Sequence, residues 1–576
     1  MKQSNFSCFG RLFLSFALAL PLWVNAQDDQ PLAPVSRTYA ITNVNIIQAP
    51  GRKIDMGTIL VKDGVIKSVG KTVTIPPEAI VIKADSMYVY AGFIDGLSRV
   101  GVTKPKEETN RERPKDPGNP TNERAGITPQ NDVRNELNPA EKSIEELRSV
   151  GFTTAHVVPY GGMLPGNGSI ILLGGSSADN MVLASKSAFY SELTSAQRVY
   201  PSTIIGVMAK WRELYRQASL SKNYESLYAS NRAGLERPAT DRVLEAFYPV
   251  IDKRQPVLFK SEKVLDIQRV LTLQGDFGFP LMLADVKEGW DVINKIKAAN
   301  AKTFLSLDLP EAKKEEKKEG DKKEDDKKEG EKKDDKKAKS LVELEKEALE
   351  KRKEEFTAKY TAQPAAFQKA GVAFGFSTLS AKPKDIPANL RRMIAAGLTE
   401  DQALAALTTT PAQLLGLSDR MGSVDNGKMA NLVISDKPYF NEKAKVRYVF
   451  VDGQPYKLEV KEEKKAEKTG GKIEAQGSWS YSTETPQGTN TGKIKLKNAN
   501  GAFTGSITSN MSDKETEIKN VTLDGNKLSF TFDFQMGSNS MTIEVNLVLD
   551  GASFDGSMSV GSYGSFPMKG TKDPGL

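Results

Sequence analysis

Cysteine and histidine are nearly missing from this sequence: each occurs once in 576 residues, as Cys8 and His156. Cys8 lies within an N-terminal stretch that has the marks of a secretory leader. Lys2 and Arg11 supply positive charge, Leu12 to Val24 an apolar core, and Val24-Asn25-Ala26 the small-residue cleavage pattern before Gln27. A lipid-modified cysteine would follow that core, whereas Cys8 precedes it. The sequence therefore predicts an exported chain without a lipid anchor, in a bacterial periplasm, on the cell surface or secreted. Removing residues 1–26 leaves no cysteine, which excludes disulfides, a thiolate nucleophile and a zinc–thiolate site. No later segment reaches the roughly 18 to 20 apolar residues of a spanning helix, so no transmembrane segment is expected in the mature chain. An excess of one charge is lacking too. The 80 basic and 73 acidic residues are interspersed, and the net charge of +7 gives no footprint for nucleic acid.

What is present reads as several domains. Residues 37–90 are rich in short alternating strands, with Asp63-Gly64 as a hairpin turn. From residue 91 the rhythm becomes helix-then-strand. A helix over Ala140–Ser149, capped by Asn138 with Pro139 at its start, precedes a strand over Phe152–Val158. Helices over Ser261–Gln274 and Trp290–Ala299 alternate with strands over Pro280–Leu283 and Thr303–Leu307. Such near-continuous apolar strands are those of a parallel sheet covered by helices, and a TIM-like (β/α) barrel is the economical reading. Residues 311–338 hold twelve lysines and twelve acids with no side chain larger than alanine among the apolar ones, the composition of a disordered insertion. A charged helix over Leu341–Phe356 follows, then a strand at Gly371–Ser377. Capping boxes are expected at Thr399 with Gln402 and at Thr410 with Gln413. Residues 420–458 return to strands. A Lys/Glu-rich linker (459–471) leads to an all-β unit over 473–572, where about eight strands with one apolar face predict a small antiparallel barrel or sandwich.

Ala91-Gly-Phe-Ile-Asp-Gly96, Gly397-Leu-Thr-Glu-Asp-Gln-Ala-Leu404, Thr410-Pro-Ala412 and Gly422-Ser-Val-Asp-Asn-Gly-Lys428 resemble, in order and spacing, segments of the amidohydrolase superfamily. The resemblance spans about Tyr39 to Leu458. It implies an α/β fold in which residues 37–90 and 420–458 form a composite β-sandwich around a barrel over 91–419. It also implies hydrolysis of C–N or related bonds by one or two metal ions, held by imidazoles and carboxylates at the strand ends. At the positions matched to those ligands this chain has Leu97 and Arg99 after Asp95, Lys260 on strand five, Ala284 on strand six and Leu379 on strand eight.

His156 sits where the family often has arginine, and reads as a hydrogen-bonded residue at a strand end rather than a ligand. The remaining candidates for chemistry are Asp95, Arg99, His156 and Lys260. Asp95, Asp285 and Asp308 together would offer only oxygen ligands, suited to magnesium or calcium more than to zinc. A Ser–Lys pair at Lys260 and Ser261 is a further arrangement to test. Gly161–Gly168 is glycine-rich, but the strand-like Ser169–Leu173 follows it rather than a helix. That excludes a dinucleotide site and leaves a loop at the barrel mouth.

The sequence therefore predicts an exported amidohydrolase-like protein with a degenerate metal site and no cofactor. Arg99 and Lys260 would favour a small anionic ligand at the mouth, and a protein partner is the other expected role. The alternative is an active hydrolase of amides or cyclic amides, using zinc or another divalent metal in an unusual site. A third reading gives the C-terminal β unit a ligand-binding or attachment role.

Overall fold

A computed structural model describes residues 37–105, 115–311, 341–458 and 475–573, apart from 486–487, 500–501, 511, 537–538 and 561–563. The leader, nearly all of the charged insertion and the whole linker lie outside the described residues. The chain divides into two units, Met1–Val460 and Lys461–Leu576.

Eight short apolar segments of the first unit close into a barrel. In chain order they are β1 (Phe93–Ser98), β2 (Phe152–Val157), β3 (Gly166–Leu172), β4 (Val182–Glu192), β5 (Val257–Lys260), β6 (Leu281–Val286), β7 (Lys302–Ser306) and β8 (Phe374–Ser377). Alternation sorts their side chains. Phe93, Phe152, Phe189, Phe259, Leu305 and Phe376 face outward into one large core shared with the surrounding helices. Leu97, Ala188, Tyr190, Leu258, Met282, Ala284 and Phe304 gather in a separate apolar group. Each fully buried Phe or Leu contributes about 1.5–3 kcal/mol relative to exposure. Phe304 fits only because Gly96 and Gly375 carry no Cβ; one built on Gly96 would lie 1.9 Å from the Phe304 ring.

One strand departs from a regular (β/α) barrel. β3 runs antiparallel to both β2 and β4, whereas the other neighbouring pairs around the barrel are parallel. Parallel neighbours need a long crossover, but antiparallel ones need only a short loop, and residues 158–165 and 173–181 supply just that. The glycine-rich stretch is therefore a loop only as far as Pro165; Gly166 to Gly168 already belong to β3.

Other boundaries move by a turn. Asn138 caps the turn before its helix, which starts at Lys142 behind Glu141 and has no side-chain cap. The next helix runs Val264–Phe277, ended by Gly278 in the left-handed region (φ 66°). Trp290–Val292 is a 3₁₀ turn ahead of Ile293–Ala298. The charged helix continues to Lys369. Thr399 and Gln402 form the expected capping box, but the helix with Pro411 starts at Thr409 and has no such box.

A second sheet is assembled from both flanks of the barrel. Its order is 454–457, 446–451, 432–435, 88–91, 38–49, 52–62 and 65–70, with 80–83 also against 38–49. It encloses Ile41, Val44, Ile46, Val61, Val89, Leu432, Ile434 and Phe450. Asp63 and Gly64 both take positive φ (51° and 80°), as a tight two-residue hairpin requires.

The C-terminal unit is a nine-stranded antiparallel sheet rather than an eight-stranded one. Its first strand, Gly477–Thr485, pairs with the last, Ser565–Lys572. The edge strands, Ser512–Glu517 and Lys519–Asp524, are joined by the single buried residue Ile518, so the sheet rolls its edges toward each other. Its inner face holds Trp479, Ile494, Leu496, Leu528, Phe530, Phe532, Val545, Leu547, Phe554 and Met568.

Candidate functional site

The strand ends bring most of the singled-out residues to one mouth. Asp95 is fully buried near the end of β1. Its carboxylate accepts the backbone N–H of Leu97 (3.2 Å) and of Thr378 (3.0 Å), and also the Thr378 hydroxyl. Burial pushes this carboxyl up to about 7 against those donors. Ser377, the last residue of β8, donates to the Leu97 carbonyl (3.0 Å). Asp95 is thus a clasp between the first and last barrel strands.

Leu97, Ala284 and Leu379 share one environment. Leu97 and Ala284 are fully buried, Leu379 is partly buried, and all three pack with Val158, Tyr190, Leu258, Met282 and Phe304. The positions that the resemblance assigns to metal ligands on strands one, six and eight therefore form an apolar contact.

Arg99 and Lys260 remain charged but are not free. Arg99 Nη2 lies 2.5 Å from Glu192 Oε1, and its guanidinium stacks 4.6 Å from the Tyr160 ring centre. Glu192 also accepts the hydroxyls of Tyr190 (2.8 Å) and Thr194 (3.3 Å). Lys260 lies between Glu192 and Ala284 in strand register, and its Nζ is 2.9 Å from Glu262. The series continues through Lys287, 3.9 Å from Glu262 and 2.9 Å from Asp308. Burial raises the Glu262 carboxyl, but Lys260 and Lys287 outweigh it and hold the group below its ordinary range. The positive charge expected to draw an anion is thus offset by a carboxylate at each cation. The Ser–Lys pair is not assembled either: Lys260 turns to Glu262, and the buried Ser261 hydroxyl has no hydrogen-bond partner.

Asp285 is the strained member of the mouth. It takes φ +57° at the end of β6, uncommon for a residue with a Cβ, and is fully buried. The Ser380 hydroxyl donates to Oδ2 (2.6 Å), while Oδ1 has no hydrogen-bond partner. Burial raises its carboxyl, with Ser380, Ser306 and Lys287 pulling the other way.

His156 is inside the fold but apart from these carboxylates. It lies opposite Ile170, which packs with Ile94, Leu172, Ala412 and Met421. Its Nε2 is 2.8 Å from Ser187 Oγ, and Ser187 donates to the Gly168 carbonyl (3.0 Å). One hydroxyl proton serves one acceptor, so Nε2–H is the donor and Nδ1 carries the lone pair, which has no partner. Gly168 makes room for the ring: a Cβ there would sit 3.0 Å from Nε2. Burial lowers the imidazole to about 4, so it is neutral at pH 7.

Among the described residues, no three His, Cys, Asp or Glu side chains converge so as to hold a metal ion. The matched positions offer two leucines, an alanine and two paired cations, a set that does not fit a divalent cation. A cleft of about 260 Å³ lies at the opposite end of β8, lined by Gln368, Val372, Phe374, Gln402 and Ala406, away from the mouth. Sequence reasoning missed Glu192, Glu262, Lys287 and Ser380. Glu192 carried a usable signal, since it lies two residues after the apolar run Ala188-Phe189-Tyr190 that marks a strand end.

The model of the amidohydrolase family matches residues 334–458. Among solved structures, an amidohydrolase from Thermotoga maritima MSB8 is similar over 73% of this chain and 100% of its own, with 20% identity and a TM-score of 0.56. A prolidase complexed with N-methylphosphonate-L-proline covers the same 73% of this chain and 100% of its own at 14% identity, with a TM-score of 0.41. A molinate hydrolase covers 73% of this chain and 95% of its own, at 14% and 0.41. No curated protein matches the chain. The first unit has the barrel-plus-sandwich fold of the Thermotoga maritima amidohydrolase, and residues 334–458 match the amidohydrolase family.

Proposed function

We propose that this chain is an exported amidohydrolase-fold protein that does not carry out metal-dependent hydrolysis and instead binds a small molecule at its barrel mouth. The observation that carries the reading is the apolar contact of Leu97, Ala284 and Leu379, where the superfamily places ligands. Hydrolytic zinc generally needs three protein donors and an open position for water. Leucine and alanine provide no donor, and Arg99 and Lys260 offer cationic groups already committed to Glu192 and Glu262 instead of metal ligands. The mouth keeps polar groups that orient and bind: Arg99 with Glu192, Lys260 with Glu262, and Asp285 with Ser380.

Two measurements test this. Elemental mass spectrometry of the mature chain purified from its native compartment is expected to find no stoichiometric zinc, manganese or iron. Assays with amides and cyclic imides are expected to give no turnover above buffer, with or without added zinc. Stoichiometric metal together with chelator-sensitive turnover would sink the proposal. The export part is checked by N-terminal sequencing, with Gln27 expected as the first residue.

A further inference from the structure

We infer that the ligand enters the barrel mouth by an organic ammonium group that docks on Asp285. This rests on the binding role proposed above and names the chemistry of that same site.

Three observations converge. First, the mouth's cations are each matched to a carboxylate: Arg99 to Glu192, Lys260 to Glu262, and Lys287 to Asp308. Asp285 is a further carboxylate beside the buried Asp95, and the cation whose charge acts on it, Lys287, is already held by Asp308 at 2.9 Å. Once ionised, Asp285 therefore has no ion-pair partner of its own among the described residues. Second, Asp285 is completely buried, and Oδ1 makes no hydrogen bond, although a buried carboxylate oxygen without a donor is costly. A bound N–H donor supplies that missing partner. Third, the carboxylate is held for the purpose by backbone and neighbours. The left-handed turn at Asp285 (φ +57°) departs from the strand, and Ser380 fixes Oδ2 at 2.6 Å. Such strain persists where surrounding structure over-determines it, commonly at binding sites.

An ammonium satisfies both demands, charge and donor. A neutral amide satisfies only the second, and a carboxylate neither. That ordering is the test. Full mature protein, its metal content measured on the same sample, is titrated with n-butylammonium chloride, butyramide and sodium butyrate by calorimetry at constant ionic strength. Saturable binding of n-butylammonium is expected, with butyramide at least about tenfold weaker and butyrate silent. Asp285→Asn, which tolerates positive φ and keeps the shape, is expected to weaken n-butylammonium at least about tenfold while unfolding no lower than wild type, because it removes a buried charge. Ser380→Ala is expected to weaken it less. The inference is overturned if butyrate binds as well as n-butylammonium, if Asp285→Asn binds unchanged, or if wild type binds no probe saturably. Should Asp285→Asn fail to fold, the ranking of probes on wild type still decides. Stoichiometric metal in the sample would overturn the underlying proposal, whereas a metal-free sample without ammonium binding overturns only this inference.

Discussion

Asp95 and Thr378 join the first and last strands of the barrel: one carboxylate takes both the backbone N–H of Thr378, at 3.0 Å, and its hydroxyl. β1 and β8 share only one register pair, Asp95 with Phe376, where most other neighbouring strands share three or more. Side chains therefore complete the closure. Thr378→Val keeps the shape and removes one donor from a buried carboxylate. A loss of about 1–3 kcal/mol is expected, read as a lowered urea midpoint with an unchanged slope. A midpoint equal to wild type would show that the clasp does not hold the seam.

Asp95 and His156 predict opposite pH dependences. Folded Asp95 keeps its proton up to about 7, while in the unfolded chain it releases it near 3.8, so its contribution to stability falls as pH rises between those values. At about 1.4 kcal/mol per unit this amounts to about 4 kcal/mol. Folded His156 takes no proton until about 4, while the unfolded residue does so below 6.5, so its contribution falls as the pH drops from 6.5 to 4. In wild type the two slopes oppose each other across pH 4 to 6.5. Asp95→Asn leaves the histidine slope and should gain stability with rising pH over that range. His156→Gln leaves the aspartate slope and should lose it. Urea midpoints at several pH values check this, and parallel profiles for the two variants would refute it.

How far the sequence disclosed this protein differs between frame and site. Ala91–Gly96 and Gly422–Lys428 identified the two places where sandwich meets barrel, because turn glycines and an apolar strand leave a local signature. The reversed strand β3 was not legible, because Ser169–Leu173 has the same apolar pattern whether it runs parallel or antiparallel. At the site, Leu97, Arg99 and Lys260 could be found by position. Their partners could not, because Glu192 and Glu262 are ordinary acidic residues until the barrel closes. Asp285 was visible as a carboxylate near a strand end. Its positive φ and its orphaned oxygen arise only from tertiary packing.

Placing two histidines at the matched positions after Asp95 should not create a metal centre. Leu97→His with Arg99→His supplies two imidazoles at the end of β1. The first enters a site lined by Ala284, Leu258 and Phe304, where a polar group without a partner is costly. The second strips Glu192 of its guanidinium partner. A net loss of about 3–5 kcal/mol is expected for breaking the Arg99–Glu192 pair alone if it behaves as a buried one, less for its partial exposure. Zinc titration should show well under one equivalent bound at micromolar metal, because Ala284 and Leu379 still donate nothing. Tight stoichiometric zinc with this pair alone would mean that other groups at the mouth can complete a shell.

The C-terminal unit should fold without the rest of the chain. All nine strands find their partners within it, and the first strand is locked to the last. Asp573 adds a terminal fastening: it accepts Ser478 (2.8 Å) and Ser480 (2.6 Å) and pairs with Lys493 (3.0 Å), which hold its carboxyl down to about 2. Trp479 is the sole tryptophan of this unit, is 1% exposed and donates its indole N–H to the Ala475 carbonyl at 3.0 Å. A fragment from Lys461 to Leu576 should therefore show blue-shifted tryptophan emission and one cooperative urea transition. A fragment starting at Gly477 loses the Ala475 acceptor and should be less stable by about 1 kcal/mol or more. Red-shifted emission in buffer, or a gradual transition, for the longer fragment would show that the rolled sheet depends on the first unit for its fold.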